Sequence, residues 1–384
     1  MAQKTRLFIP GPTPIPQAVT EAMARPLIGH RTKDFADLYA RLEKNLQQIF
    51  RTENEVYILT SSGSGGMEAA VANVVNPGDR VLALVTGKFG ERFAELAQAY
   101  GAKVDALEFG WGNPVDLGQV EKNLRAERYK AVLATHNETS TTVTNDIKGI
   151  GDLTRRYGAL LLVDAVSSLG GMEICADEWG IDMLVTASQK ALMVPPGLAM
   201  VSVSRRAWEM IKETRSPRFY FSLPAAKKSL EKYNTPYTPA VPFFVGLDVA
   251  LDMILSEGLS VVYNRHRTFA AAVREAVKAM GLKLLAPEAC ASSVVTGVWA
   301  PEGMNADDFR KGLMNDFGIL LAGGQSQLKG RIFRISHMGY IDAVDILGAI
   351  AAIEIALQRS GLPVTLGSGV AAAQAVFAGG DKIV

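Results

Sequence analysis

The 384-residue sequence predicts an α/β fold: a large domain on a mostly parallel sheet with helices on both faces, then a smaller α+β domain. Three observations carry that reading. Six short apolar runs recur: "EVYILT" (Glu55–Thr60), "RVLALV" (Arg80–Val85), "KAVLAT" (Lys130–Thr135), "ALLLVD" (Ala159–Asp164), "DMLVTA" (Asp182–Ala187) and "LAMVSVS" (Leu198–Ser204). Strands apolar on both faces belong in a sheet covered on both sides. Helical patterns lie between these runs, and beyond about residue 258 the alternation gives way to long helical stretches with fewer strands.

In chain order, residues 1–20 form a proline-rich N-terminal arm lying across the domain junction, and helix begins near Asp34. The large domain covers 21–258. The small domain covers 259–362: a helix from Leu259 to Met280, the strand-like "SSVVTGVWAP", a helix near Asn305 to Phe317, the strand-like "RIFRISHMG", and a closing helix from Ala343 to Arg359. The tail, 363–384, is rich in Gly, Ala and Val and reads either as a packed arm or as a loose terminus.

Forty basic residues against 39 acidic leave a formal charge of +1, which gives no electrostatic footprint for nucleic acid or an anionic membrane. Small-molecule chemistry is favoured. Two cysteines, Cys175 and Cys290, build neither a disulfide framework nor a thiolate metal cluster, and a reduced, cytoplasmic setting is expected. The stretch "MAQKTRLFIPGPTPIP" has no apolar h-region, and no run of apolar residues is long enough for a membrane span. His30, His136, His266 and His337 show no ligand spacing, so no metal site is expected.

Three features carry chemistry. The turn "TSSGSGGMEAAVANVV" follows a strand and opens a helix, so Ser62, Gly63 and Ser64 present backbone amides where an anion is stabilised. It lacks the Lys-Ser/Thr of a P-loop, and Glu68 stands where a dinucleotide fingerprint needs glycine. Alone, a plain strand-to-helix turn fits equally well. Asp164 ends a buried strand, where α/β sheets bind ligands, although an isolated aspartate there also caps turns. Lys190, in "TASQKALMVPPG", would by itself pass for a surface cation. Together, an anion cradle, a strand-end carboxylate and a lysine past another strand are the fixtures pyridoxal 5'-phosphate requires.

The chain resembles the fold-type I, class V pyridoxal phosphate-dependent aminotransferases, in the branch of the alanine-glyoxylate, serine-glyoxylate and serine-pyruvate enzymes. The resemblance runs through "PGPTPIP", "SGSGGMEAA", "GKFGER", "THNETSTTV", "LLVDAVSSLGG", "ASQKAL", "TPYTPAV" and "FRISHMG". It implies a seven-stranded-type sheet and ping-pong transamination between a small L-amino acid, alanine or serine, and glyoxylate or pyruvate. Lys190 would then form the Schiff base and shuttle the proton, and Asp164 would hold the pyridine nitrogen protonated. Ser62, Gly63, Ser64 and Gln189 match the phosphate site, Phe89 a ring-stacking aromatic, and Thr139 a hydroxyl near the ring's 3-oxygen. Thr235 and Thr238, in "YNTPYTPAVP", would complete a phosphate site across a homodimer interface. Arg334 would capture the substrate carboxylate, with Arg331 on the opposite strand face a weaker candidate. Gly11, His30 and Arg31 would border the pocket.

Two alternatives stand beside this reading. A cysteine desulfurase or selenocysteine lyase usually carries histidine where this chain has Gln189, and needs a mobile nucleophilic cysteine. A non-enzymatic hydrogenase-associated subunit is the other, although two cysteines cannot hold a four-thiolate cluster.

Overall fold

The computed structural model describes residues 4–379; residues 1–3 of the arm and 380–384 of the tail lie outside the described residues. Seven strands form the large sheet in the order Val56–Thr60, Leu198–Val203, Met183–Ala187, Leu160–Asp164, Ala131–Thr135, Arg80–Val85, Lys103–Glu108. Every neighbouring pair is parallel except the two made by Leu198–Val203, which runs against both its partners. Six strands therefore point the same way, and the residues following each emerge at one edge. Ligands of open α/β sheets bind at that edge.

Burial explains why the six apolar runs are strands. Leu160–Asp164, Met183–Ala187 and Leu198–Val203 are buried at every position, with helices covering both faces. The seventh strand, Lys103–Glu108, escaped the sequence reading because it lies at an edge, and its polar residues leave it only half covered.

The second sheet has five strands, ordered Arg6–Phe8, Ile319–Gly323, Ile332–Ser336, Val295–Trp299, Lys283–Leu284. Arg6–Phe8 joins it in parallel, with Leu7 opposite Leu320, so the arm is woven into the C-terminal sheet. One apolar cluster runs from Val19 to Val262 beneath the large sheet, and a second gathers Phe8 with residues from Phe269 to Ala373.

The tail is packed. Helix Ser368–Gly379 lies along Leu259–Ala279, with Phe377 edge-on to Phe269 at 6.1 Å. The buried Glu354 carboxylate accepts hydrogen bonds from the amides of Gly367 (2.9 Å), Gly369 (2.5 Å) and Val370 (3.3 Å) at that helix's start. Negative charge at a helix N-terminus is stabilising.

Candidate active site

Helix Gly63–Val74 starts right after strand Val56–Thr60, with Ser62 as its N-cap. The amides of Gly65 and Gly66 turn back to the Ser62 carbonyl (3.0 and 3.2 Å), while those of Gly63 and Ser64 belong to the first turn that has no intrahelical acceptor. Glycine is required here by contact: a Cβ on Gly63 would stand 2.8 Å from Val166, and one on Gly66 2.8 Å from Val185. Arg92 closes this corner. Its Nη1 donates to Ser64 Oγ at 3.2 Å, and its guanidinium lies 5.0 Å from the centre of the Phe89 ring. First-turn amides, a hydroxyl and a guanidinium together make a site for a dianion.

Asp164 ends its strand in register with Thr135 on one side and Val185 on the other. It is buried, and its Oδ1 accepts the Val166 amide at 2.8 Å. Burial pushes its carboxyl up to about 6, helped by nearby Glu138; the Val166 hydrogen bond, Lys190 and Arg92 pull the other way. A cationic ring nitrogen beside it would favour the carboxylate.

Lys190 stands in a turn held at both ends. The Ser188 amide donates to the Leu198 carbonyl (3.0 Å) and the Val194 amide to that of Ser188 (3.0 Å), while Ser188 Oγ donates to Pro195 O (2.7 Å). Met193 takes a left-handed conformation (φ 58°) within it. The lysine Nζ donates to the Pro10 carbonyl. Desolvation lowers this ammonium to about 8, with the charges of Arg334 and Arg92 adding to the effect and Asp164 opposing it. Beside Lys190, Gln189 has a buried Oε1 with no hydrogen-bond partner.

Thr139 and Arg334 meet at the other side. Thr139 Oγ1 donates to Ser167 Oγ at 2.9 Å, and its carbonyl accepts from Arg334 Nη1 at 2.6 Å. Arg334 Nε donates to the Gly323 carbonyl at 2.9 Å. No carboxylate pairs with this buried guanidinium among the described residues, and desolvation lowers it to about 10. Two carbonyls thus aim the fork and leave Nη2 free of protein acceptors. Arg331 is exposed and lies against Trp299, on the opposite face of the strand.

Ser62, Gly63, Ser64, Phe89, Thr139, Asp164, Gln189, Lys190 and Arg334 therefore gather at the strand ends of the large sheet, with Arg334 reaching in from the second sheet. Thr235 and Thr238 do not join them within one chain. Thr235 Oγ1 donates to the Tyr237 carbonyl at 2.7 Å, and Thr238 is exposed; both line a small cavity of about 30 Å³ beside Thr60. Arg31 donates to the Thr235 carbonyl (2.7 Å) and to Asn234 Oδ1. Gly11 packs directly on the Lys190 side chain.

Sequence reasoning passed over Arg92, Ser167 and Glu138. Glu138 is fully buried: Oε2 accepts the amides of Phe89 and Gly90 (3.0 Å each), and Oε1 accepts the amide and hydroxyl of Ser140 (3.1 and 2.5 Å). It thereby anchors the helix start that carries Phe89. Burial raises its carboxyl, while these four donors pull it back down. The only signal for it was an acidic residue amid the small polar ones of "HNETSTTV". Glu138→Ala is expected to cost roughly 3 kcal/mol of stability by stranding buried donors; a urea midpoint equal to that of the parent would contradict this.

Neither cysteine joins the site. Cys175 is buried near Arg51 and Glu173, and Cys290 donates to the Pro287 carbonyl; burial raises both thiols, the reverse of nucleophile activation.

The chain is similar to known proteins over nearly its whole length. The family described as Aminotransferase class-V matches residues 6–346. The soluble hydrogenase small subunit of Synechococcus sp. (strain PCC 6716) is 44% identical over 98% of this chain and 99% of its own length. The serine–glyoxylate aminotransferase of Methylorubrum extorquens is 39% identical over 96% of this chain and 95% of its own. The crystal structure of an alanine–glyoxylate aminotransferase from Nostoc sp. superposes with a TM-score of 0.90 at 31% identity, covering 93% of this chain and 96% of that one. The chain belongs to the class V aminotransferases of fold type I and is an aminotransferase.

Proposed function

We propose that this aminotransferase holds pyridoxal 5'-phosphate on Lys190 and moves the amino group of a small L-amino acid, alanine or serine, to glyoxylate or pyruvate. One observation carries the reading: a helix start, a buried strand-end carboxylate, a desolvated lysine and a buried unpaired arginine converge from separate elements. The names of the serine–glyoxylate and alanine–glyoxylate relatives support the choice of substrates.

The residues fit the cofactor. The first turn at Gly63 and Ser64, with Arg92, suits its phosphate, and the Gln189 side-chain amide, whose Oε1 has no partner, would turn an N–H donor towards it. Asp164 suits the pyridine nitrogen, Phe89 offers a ring face, and the Thr139–Ser167 pair suits the ring hydroxyl. When bound, the cofactor supplies an electron-accepting ring and the carbon that exchanges nitrogen.

The protein's own groups do the rest. Arg334 receives the α-carboxylate and orients Cα. Lys190 Nζ, desolvated to about 8, is neutral in roughly a tenth of molecules at pH 7, far more than an ordinary lysine, and as the free amine takes the α-proton as a base. Asp164, as a carboxylate, would hold the proton on the ring nitrogen. Because amino donor and keto acceptor each bring one carboxylate to Arg334, they use the site in turn, which is ping-pong behaviour. Arg334→Ala is expected to raise KM for both substrates about a hundredfold, since truncating one partner of a buried charge pair costs ~2–5 kcal/mol. Steady-state kinetics with each substrate varied checks this, and unchanged KM values would remove Arg334 from the pocket. Parallel double-reciprocal lines for alanine against glyoxylate test the reaction itself; intersecting lines would contradict the alternating order.

A homodimer is part of the proposal. Tyr220 (46% exposed) stacks on Tyr237 and Phe219 (79%) meets it at a tilt, beside the Thr235–Thr238 segment, an aromatic patch of the kind that marks an interface. A second copy covering it would bring Thr235 and Thr238 towards the neighbouring site. Among the described residues no helix is long and apolar enough to cross a membrane.

A further inference from the structure

The Lys190 side chain runs directly beneath the N-terminal segment. Its Nζ donates to the Pro10 carbonyl. Gly11 follows with φ +136°, in the region that favours glycine, and a Cβ there would stand 2.7, 2.7 and 2.8 Å from Lys190 Cδ, Cε and Nζ. Thr13 then grips the backbone of the lysine turn twice: its amide donates to the Gln189 carbonyl at 3.2 Å and its Oγ1 to the Lys190 carbonyl at 2.8 Å. Thr13 is buried, against Gly339, where a Cβ would come 3.0 Å from its Oγ1.

We propose that Pro10–Thr13 is the positioning element of the reactive lysine: the Pro10 carbonyl accepts a hydrogen bond from its Nζ, Gly11 leaves its path open, and Thr13 fixes the backbone it springs from. Thr13 and Gly11 are positioning residues, acting through Lys190. The charged groups around Lys190 are Asp164, Arg334 and Arg92, and none of them belongs to this segment. A neutral carbonyl acceptor stabilises the ammonium against desolvation, so the segment sets how much free amine is available at a given pH.

The same segment ties the lysine to the other sheet. Arg6–Phe8 pairs with Ile319–Gly323, and the Gly323 carbonyl is the acceptor that aims Arg334. The N-terminal arm thus hydrogen-bonds both the Lys190 turn, through Thr13, and the strand that leads to Gly323, through Arg6–Phe8. This inference rests on Lys190 being the cofactor-bearing amine.

The test is the titration of Lys190 in the full-length chain after removal of cofactor, read as pH-dependent labelling by an amine-directed acylating reagent and mass spectrometry of the Lys190 peptide. In the parent the midpoint is expected near about 8. In Gly11→Ala and Thr13→Val it falls by about half a unit or more, and Thr13→Ser restores it. In the cofactor-loaded enzyme, Thr13→Val lowers kcat because the amine, although more of it is free, is no longer held in place, while KM for the amino donor holds because Arg334 is untouched. Should Gly11→Ala fail to fold, Thr13→Val and Thr13→Ser decide alone. A midpoint and kcat in Thr13→Val equal to the parent's overturn the proposal. A shifted midpoint in a protein whose cofactor is carried by some other residue sinks the reading of Lys190 and leaves its positioning by the segment standing.

Discussion

Lys190→Ala is expected to abolish transamination, with turnover falling about 10⁴-fold or more, and to remove the visible absorbance of the lysine-bound cofactor. A positioned general base alone contributes ~10²–10⁴ in rate, and under the proposed function this residue also makes the covalent attachment. The fold should survive, because the turn around Lys190 is held by Ser188, Val194 and Leu198 rather than by the lysine side chain. Loss of absorbance with an unchanged melting temperature is therefore the expected pair of results. A variant that kept both the visible band and turnover would remove Lys190 from the centre of the site. In the parent chain, the amine's depression from 10.5 to about 8 means that its neutral fraction rises as pH climbs through that value. The reactivity of the cofactor-free chain towards added cofactor should rise over the same range.

Asp164→Asn should be the next most damaging change. Asparagine keeps the shape and can still accept the Val166 amide, but it carries no charge to balance a protonated ring nitrogen. Removing preorganised electrostatic stabilisation of this kind typically costs 10²–10³ in kcat, and a loss of about that size is expected here. Substrate KM should change little, since Arg334 stands on a different sheet. Single-turnover kinetics separates the two effects: proton abstraction slows while substrate saturation stays put. Retention of full turnover in Asp164→Asn would mean that the ring charge is not held by this residue.

What the sequence disclosed, and what it withheld, follows from where each residue's partners lie. Strands such as Leu160–Asp164 and Met183–Ala187 are legible because burial on both faces demands unbroken apolar runs, and those runs also mark where Asp164 and Lys190 must emerge. Lys103–Glu108 is an edge strand, so its mixed composition resembles a loop. The reversed direction of Leu198–Val203 leaves no trace in its composition, because an apolar strand looks the same run either way. Arg6–Phe8 is three residues long and becomes a strand only by pairing with Ile319–Gly323 across nearly the whole chain. Glu138 and Arg92 were missed for a related reason: their partners come from segments remote in sequence, and only the assembled sheet edge brings them together. Arg334 was legible because a cation inside an apolar strand needs an explanation, and the fold supplies two carbonyls but no carboxylate.

Under the proposed function, one site passes an amino group from a small amino acid to a keto acid by way of Lys190. A half-reaction measurement tests it most directly: the cofactor-loaded enzyme is mixed with alanine or serine alone, in the absence of any keto acid. The account predicts that the visible band bleaches with release of about one keto acid per active site, and that adding glyoxylate restores the band and yields glycine. A band that stays unchanged with every amino acid tried, or that bleaches without releasing a keto acid, would contradict it.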